Sequence, residues 1–181
     1  GAQTNWISPL SDLYITTTTG SSSISLARTA IVLRGLEEYD DSAKGRVGHA
    51  GTDDENGLRY GASWDEWWCS EFYAWRAGPT LRGVSDESNI EGLVDEFQAR
   101  DSYDGIDDWS PTDAGRGDYI WLSNDTGGKQ HSTLFLAYNS SANIIWAIGG
   151  NEGDEVKVSH RQFVDSANFG GLGRITSAML R

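Results

Sequence analysis

Tyr119-Ile-Trp-Leu122, Thr133-Leu-Phe-Leu-Ala-Tyr138, Asn143-Ile-Ile-Trp-Ala-Ile148 and Glu155-Val-Lys-Val-Ser159 follow one another in the C-terminal third of the chain. Each run is short and rich in β-branched and aromatic residues, the composition that suits a pleated, half-buried surface. Turn residues separate them: Asp125-Thr-Gly-Gly128, Asn139-Ser-Ser141 and Gly149-Gly-Asn151. Connections this short join antiparallel neighbours, so the four runs predict a meander. Ile175 to Leu180 is expected to add one more strand.

Upstream the periodicity changes. Residues 1–23 carry Pro9, four consecutive Thr and a Gly-Ser-Ser-Ser stretch, which reads as an extended N-terminal arm ending in a helix-capping serine. From Ile24 to Tyr39 the apolar positions Ile24, Ala27 and Ile31, and again Leu26, Ala30 and Leu33, recur at helical spacing, with Gly35 weakening the last turn. Residues 40–63 are polar and Gly-rich, a loop. Trp64 to Ala77 is dense in aromatics and stops at Gly78-Pro79, a helix end. Asp86 to Arg100 predicts a helix with Ile90, Leu93, Val94 and Phe97 on one side, and Asp101 to Gly117 an acidic loop. Helices first and strands second predict an α+β domain over residues 24–181, its N-terminal helices packed on a C-terminal antiparallel β-meander.

The 181 residues suit one domain with one core. A net charge of −13 repels phosphate backbones and anionic surfaces, so neither nucleic acid nor membrane is an expected partner. No apolar run is long enough for a transmembrane helix. The chain starts without Met, which fits either a processed or a trimmed chain and leaves export open. The eight Trp and seven Tyr offer flat amphipathic rings for sugar faces or peptides, although most are expected to fill the core. A single Cys excludes an internal disulfide and leaves two readings, a small buried hydrophobe or a reactive thiol.

A thiol hydrolase requires a thiolate, a base within hydrogen-bond reach and a group that orients the base. Cys69 stands where the turn-like Gly61-Ala-Ser-Trp-Asp65 gives way to the helix through Phe72 and Trp75. A helix start stabilises a thiolate and later an oxyanion through its dipole and free N–H groups. Asp65, Glu66 and Glu71 oppose this, so a paired imidazolium must supply much of the stabilisation. Of three histidines, His49 lies in the Gly-rich loop and His160 in a basic turn after a strand. His131 opens the most hydrophobic strand and is the candidate base. Antiparallel pairing brings the end of the next strand beside it, where Asn151 is the candidate orienter and Glu152 a second one. Tyr60, Trp68 and Ser70 are candidates for oxyanion or substrate contacts. No zinc spacing, phosphate loop or distinguished carboxylate dyad is present, and no metal or cofactor is expected. The acidic runs Asp53-Asp54-Glu55 and Asp104 to Asp108 read as solvated loops, with calcium a weaker alternative.

Trp68-Cys69-Ser70-Glu71-Phe72-Tyr73-Ala74-Trp75 resembles the nucleophile helix of the CHAP family, the cysteine- and histidine-dependent amidohydrolases/peptidases, and of their NlpC-type relatives. His131-Ser-Thr-Leu-Phe-Leu-Ala137 looks like the family's His at the head of a hydrophobic strand. Gly117-Asp118 resembles the pair that opens the preceding strand, and Ile148-Gly-Gly-Asn151 the position of the third polar residue. Many members place a carboxylate two residues before that Asn, where this chain has Gly149. The resemblance spans residues 24–159. It implies a papain-like fold and cleavage of amide bonds in bacterial peptidoglycan, as an N-acetylmuramoyl-L-alanine amidase or a peptide endopeptidase. It also implies Cys69 as nucleophile, His131 as base and then acid, Asn151 as orienter, and a monomer working outside the cell or in its envelope. A noncatalytic glycan- or peptide-binding module on the same scaffold, or a papain-like toxin acting on another amide, are the alternatives.

Overall fold

Helix α1 (Ser23–Ala43) starts where Ser22 Oγ accepts from the Ser25 N–H at 3.2 Å, the capping serine expected from the sequence. The computed structural model describes residues 22–43, 60–61, 67–84, 89–105, 107–123, 131–153, 155–163 and 169–181. The N-terminal arm through residue 21, His49 and the acidic run at residues 53–55 lie outside them. α1 runs past Gly35 instead of fraying there. A Cβ on Gly35 would lie 3.1 Å from Ile148 Cδ1, so the glycine lets the helix approach the sheet closely.

Helix α2 (Cys69–Ala77) ends at Gly78, and α3 (Ile90–Gln98) is capped by Asn89, whose side chain accepts from the Gly92 N–H at 2.7 Å. The strands are β1 (Tyr103–Gly105), β2 (Tyr119–Leu122), β3 (His131–Asn139), β4 (Ile144–Gly149), β5 (Lys157–Gln162) and β6 (Gly171–Gly173). They form one six-stranded antiparallel sheet in the order β1-β6-β2-β3-β4-β5. The class is mixed α+β.

Alternation along the strands separates two apolar clusters. One joins Ile31 and Val32 of α1, Phe72 and Tyr73 of α2, and Leu93 and Phe97 of α3 to Tyr119, Leu134 and Ile148 of the sheet. The other gathers Ile120, Leu122, Phe135, Ile145 and Leu172 with Trp109 and Phe169. Each of these side chains, fully buried, contributes about 1.5–3 kcal/mol relative to exposure. Asp118 fastens α1 to the sheet: its carboxylate pairs with Arg28 at 2.8 Å and accepts from the Ile175 N–H at 2.8 Å. At the far end of α2, Arg76 pairs with Glu38 at 3.1 Å and Arg34 donates to Thr80 Oγ1 at 2.8 Å. These two arginines, with Trp75 and Arg181, edge an open cavity of about 690 Å³.

Three local expectations are corrected. The strand expected at Ile175–Leu180 is a 3-10 turn (Ser177–Met179) with a single bridge from Leu180 to Leu81. The added strand is β6, whose Gly-Leu-Gly sequence carries no strand pattern because large rings occupy the space over its glycines. A Cβ on Gly171 would meet Tyr103 Oη at 2.2 Å, and one on Gly173 the Phe97 ring at 2.7 Å. The acidic stretch after α3 contains β1, where Asp104 pairs with Arg174 at 2.8 Å instead of being merely solvated. His160 lies within β5, its ring 4.6 Å from that of Trp146, because β5 continues to Gln162.

Phe97 is fully buried and stacked on Tyr119 with centroids 5.6 Å apart, so it has nowhere to retreat. Gly173→Ala is therefore expected to destabilise the fold by about 1–3 kcal/mol, as overpacked cores do. Urea unfolding of the variant beside wild type checks this.

Candidate active site

Cys69 is the first residue of α2, directly after the N-cap residue Trp68. The first N–H groups of a helix have no acceptor within it and carry the positive end of its dipole. The thiol sits at that end and is 6% exposed. His131 is the first residue of β3, and its side chain lies close enough to Cys69 for each to shift the other's ionisation. Its Nε2 lies 3.3 Å from Glu152 Oε1, which leaves Nδ1 for the thiol. Glu152 Oε1 in turn accepts from Ser159 Oγ of β5 at 3.0 Å. Hydrogen bonds thus link His131, Glu152 and Ser159, with Cys69 against the other edge of the ring.

The local backbone explains why Glu152 reaches the ring. β4 pairs with β3 up to Thr133↔Gly149, so its end lies beside the start of β3. Beyond Gly149 the chain turns, with Asn151 at φ 59° and Glu152 N–H donating to Glu155 O at 3.0 Å. Asn tolerates that left-handed conformation better than most residues. The turn swings the Glu152 side chain back over Gly149. A Cβ there would lie 2.4 Å from Glu152 Oε1 and 2.7 Å from His131 Nε2. The carboxylate thus fills space that a side chain at position 149 would take.

Charges follow from these contacts. Burial pushes the Cys69 thiol up, but the His131 hydrogen bond and charge and the Ser132 N–H pull it below its ordinary 9.0, against opposition from Glu71. Burial pulls His131 down, yet its bonds to Cys69 and Glu152 raise it to about 9. Glu152 is pushed up by burial and brought below the ordinary carboxylate value by His131, Ser159 and Arg161. All three shifts run toward the charged form of each group: thiolate, imidazolium and carboxylate.

The other sequence candidates take structural places. Tyr60 is buried and donates from its hydroxyl to Glu38 Oε2 at 2.8 Å, so that hydroxyl is committed away from an oxyanion. Trp68 is buried and stacked on Tyr60 with centroids 5.2 Å apart. Ser70 is buried and bonds Ser132 Oγ at 2.9 Å. All three side chains are buried. Asn151 supplies the turn, and the side chains that hydrogen-bond and shift His131 are those of Cys69 and Glu152. Ser132, Gly149 and Ser159 were not singled out from sequence. Only Gly149, in its Gly-Gly pair beside the expected orienter, carried a usable signal. Among the described residues no group of three or more His, Cys, Asp or Glu is placed to hold a metal ion, and no helix is long and apolar enough to cross a membrane.

Comparison with protein-family models, curated proteins and solved structures gave no match to this chain. The functional reading therefore rests on the geometry of the site and on its motifs.

Two outcomes are expected of the site itself. Alkylation of Cys69 by iodoacetamide should rise with pH at a midpoint below that of an ordinary thiol, about 8.5, and His131→Ala should move that midpoint up to or above it. Gly149→Ala should displace Glu152 from His131, lowering the imidazole pKa from about 9 while leaving the fold intact. Proton NMR titration of the ring reads that shift.

Proposed function

We infer that this chain is a cysteine hydrolase of amide bonds, with the papain-like arrangement of the CHAP and NlpC-type enzymes that its motifs resemble. The juxtaposition of Cys69 at the start of α2 with His131, itself hydrogen-bonded to Glu152, carries this reading. A nucleophile, its base and the orienter of that base stand in that order. The orienter is Glu152, the second of the two sequence candidates.

In the proposed reaction the Cys69 thiolate attacks the amide carbonyl carbon, and the carbonyl electron pair moves onto oxygen. Backbone N–H groups at the helix start hold that oxyanion. Collapse of the tetrahedral species breaks the C–N bond as His131 gives its proton to the leaving nitrogen, leaving a thioester. His131, now neutral, takes a proton from water as the water attacks the thioester carbonyl. The second collapse expels the thiolate and releases the carboxylic acid. Glu152 keeps the ring in one orientation and stabilises its charged form, without itself taking the proton.

Peptidoglycan peptide is the proposed substrate, cut either at the sugar–peptide amide or within the peptide. With a net charge of −13, attraction to an anionic polymer is not what binds it. Shape, hydrogen bonds and aromatic contact must do so, and Trp67, 70% exposed, lies two residues before the nucleophile.

Mass spectrometry of peptidoglycan digested by wild type and by Cys69→Ala tests the proposal. New fragments that depend on Cys69 are expected, and their masses identify the bond cut. An unchanged digest from a protein whose Cys69 still alkylates with a midpoint below that of an ordinary thiol, about 8.5, would refute the substrate and keep the nucleophile. With a substrate in hand, Glu152→Gln should cut kcat by at least about tenfold, because the ring loses charge stabilisation.

A further inference from the structure

The residues that directly follow the two proposed reacting residues bond to each other. Ser70 Oγ and Ser132 Oγ lie 2.9 Å apart, with Ser70 1% and Ser132 0% exposed. Tyr119 Oη lies 3.0 Å from the same Ser132 oxygen, itself fully buried on β2. Three hydroxyls from α2, β3 and β2 thus meet in the core. Three buried hydroxyls cost free energy unless they bond one another. An apolar trio would fill the same space without that demand, so packing alone gives no reason for them.

We propose that the Ser70–Ser132–Tyr119 hydroxyl chain is a positioning device that sets the separation of Cys69 and His131. This rests on the hydrolase reading of the site. The Ser70–Ser132 bond spans the joint between the start of α2 and the start of β3, one residue in from each reacting side chain. It also fixes the Ser132 backbone, whose N–H faces the Cys69 sulfur. Tyr119 holds the joint from the third side. It is braced by Phe97, stacked 5.6 Å away, and by Tyr73, edge-on at 4.9 Å. Burial pushes its phenol far above the ordinary value, so it stays protonated throughout the working pH range. Hydrogen bonds are more directional than apolar contacts. Here they register a helix against a strand where a small slip would part thiol from ring.

The test is the pH dependence of iodoacetamide labelling at Cys69 in Ser70→Ala, Ser132→Ala and Tyr119→Phe. Ser102→Ala serves as a control, since Ser102 is equally buried and bonds Thr176 Oγ1 at 2.7 Å in another part of the core. The expected result is a midpoint raised by about half a unit to one unit in the first three, the worth of one ordinary hydrogen bond. The control should lose thermal stability and keep the wild-type midpoint. If Ser70→Ala and Tyr119→Phe fold and keep the wild-type midpoint, the positioning role is overturned. If wild type itself labels as an ordinary thiol, the hydrolase reading fails first, and the two failures are told apart.

Discussion

A buried thiol ionises only if an opposite charge and hydrogen-bond donors replace the water it has lost. Cys69 is 6% exposed, so its chemistry depends on His131 standing against it. Helix α2 and strand β3 come from distant parts of the chain, and their first residues must meet within a hydrogen bond. Much of the core serves that meeting. Gly150 lets the end of β4 lie against Phe72 and Trp68 of α2, since a Cβ there would come within 2.5 Å of Phe72. Gly35 lets α1 settle against Ile148 from the same side as Leu134. The stack of Phe97 on Tyr119 and the anchoring of Asp118 by Arg28 fix β2 beside β3. Loss of any of these supports loosens the place where thiol and imidazole touch.

What the sequence made legible follows from how locally each feature is determined. Strands β2, β3 and β4 were readable because their apolar residues have partners on both faces and leave an unbroken pattern between turn residues. The start and end of α2 were readable for the same local reason, as were Cys69 and His131 at element boundaries. β6 was not. Its Gly-Leu-Gly run has no strand propensity, and it pairs with β1 and β2 because the rings of Tyr103 and Phe97 leave room for nothing larger than hydrogen. That constraint belongs to residues about seventy positions away. The same limit hid Ser132: a serine after a histidine means nothing until the fold brings Ser70 to it.

The choice between Asn151 and Glu152 is instructive because the two are adjacent. Antiparallel pairing correctly brings this stretch beside His131, but strand geometry cannot say which side chain turns inward. The turn decides it. Asn151 takes the left-handed conformation, and Glu152 falls back over Gly149 toward the ring. Gly149 puts no side chain of its own into that space, and Glu152 occupies it from three residues further along.

A carboxylate also does something an amide in the same place would not. An Asn oxygen accepts one hydrogen bond from the ring and adds no net charge. Glu152 accepts the same bond and brings a negative charge next to the imidazolium, itself held below the ordinary carboxylate value by Ser159 and Arg161 as well as by His131. The imidazolium is therefore held from both ring edges, by thiolate and by carboxylate, and its pKa rises to about 9 in spite of burial. The added charge has a cost, since it weakly repels the thiolate across the ring. The closer thiolate–imidazolium contact outweighs it, because the carboxylate lies a full imidazole width further from the sulfur. Among the described residues, Glu71 is the carboxylate that directly opposes ionisation of Cys69, while Glu152 acts on the thiol through the imidazolium it stabilises.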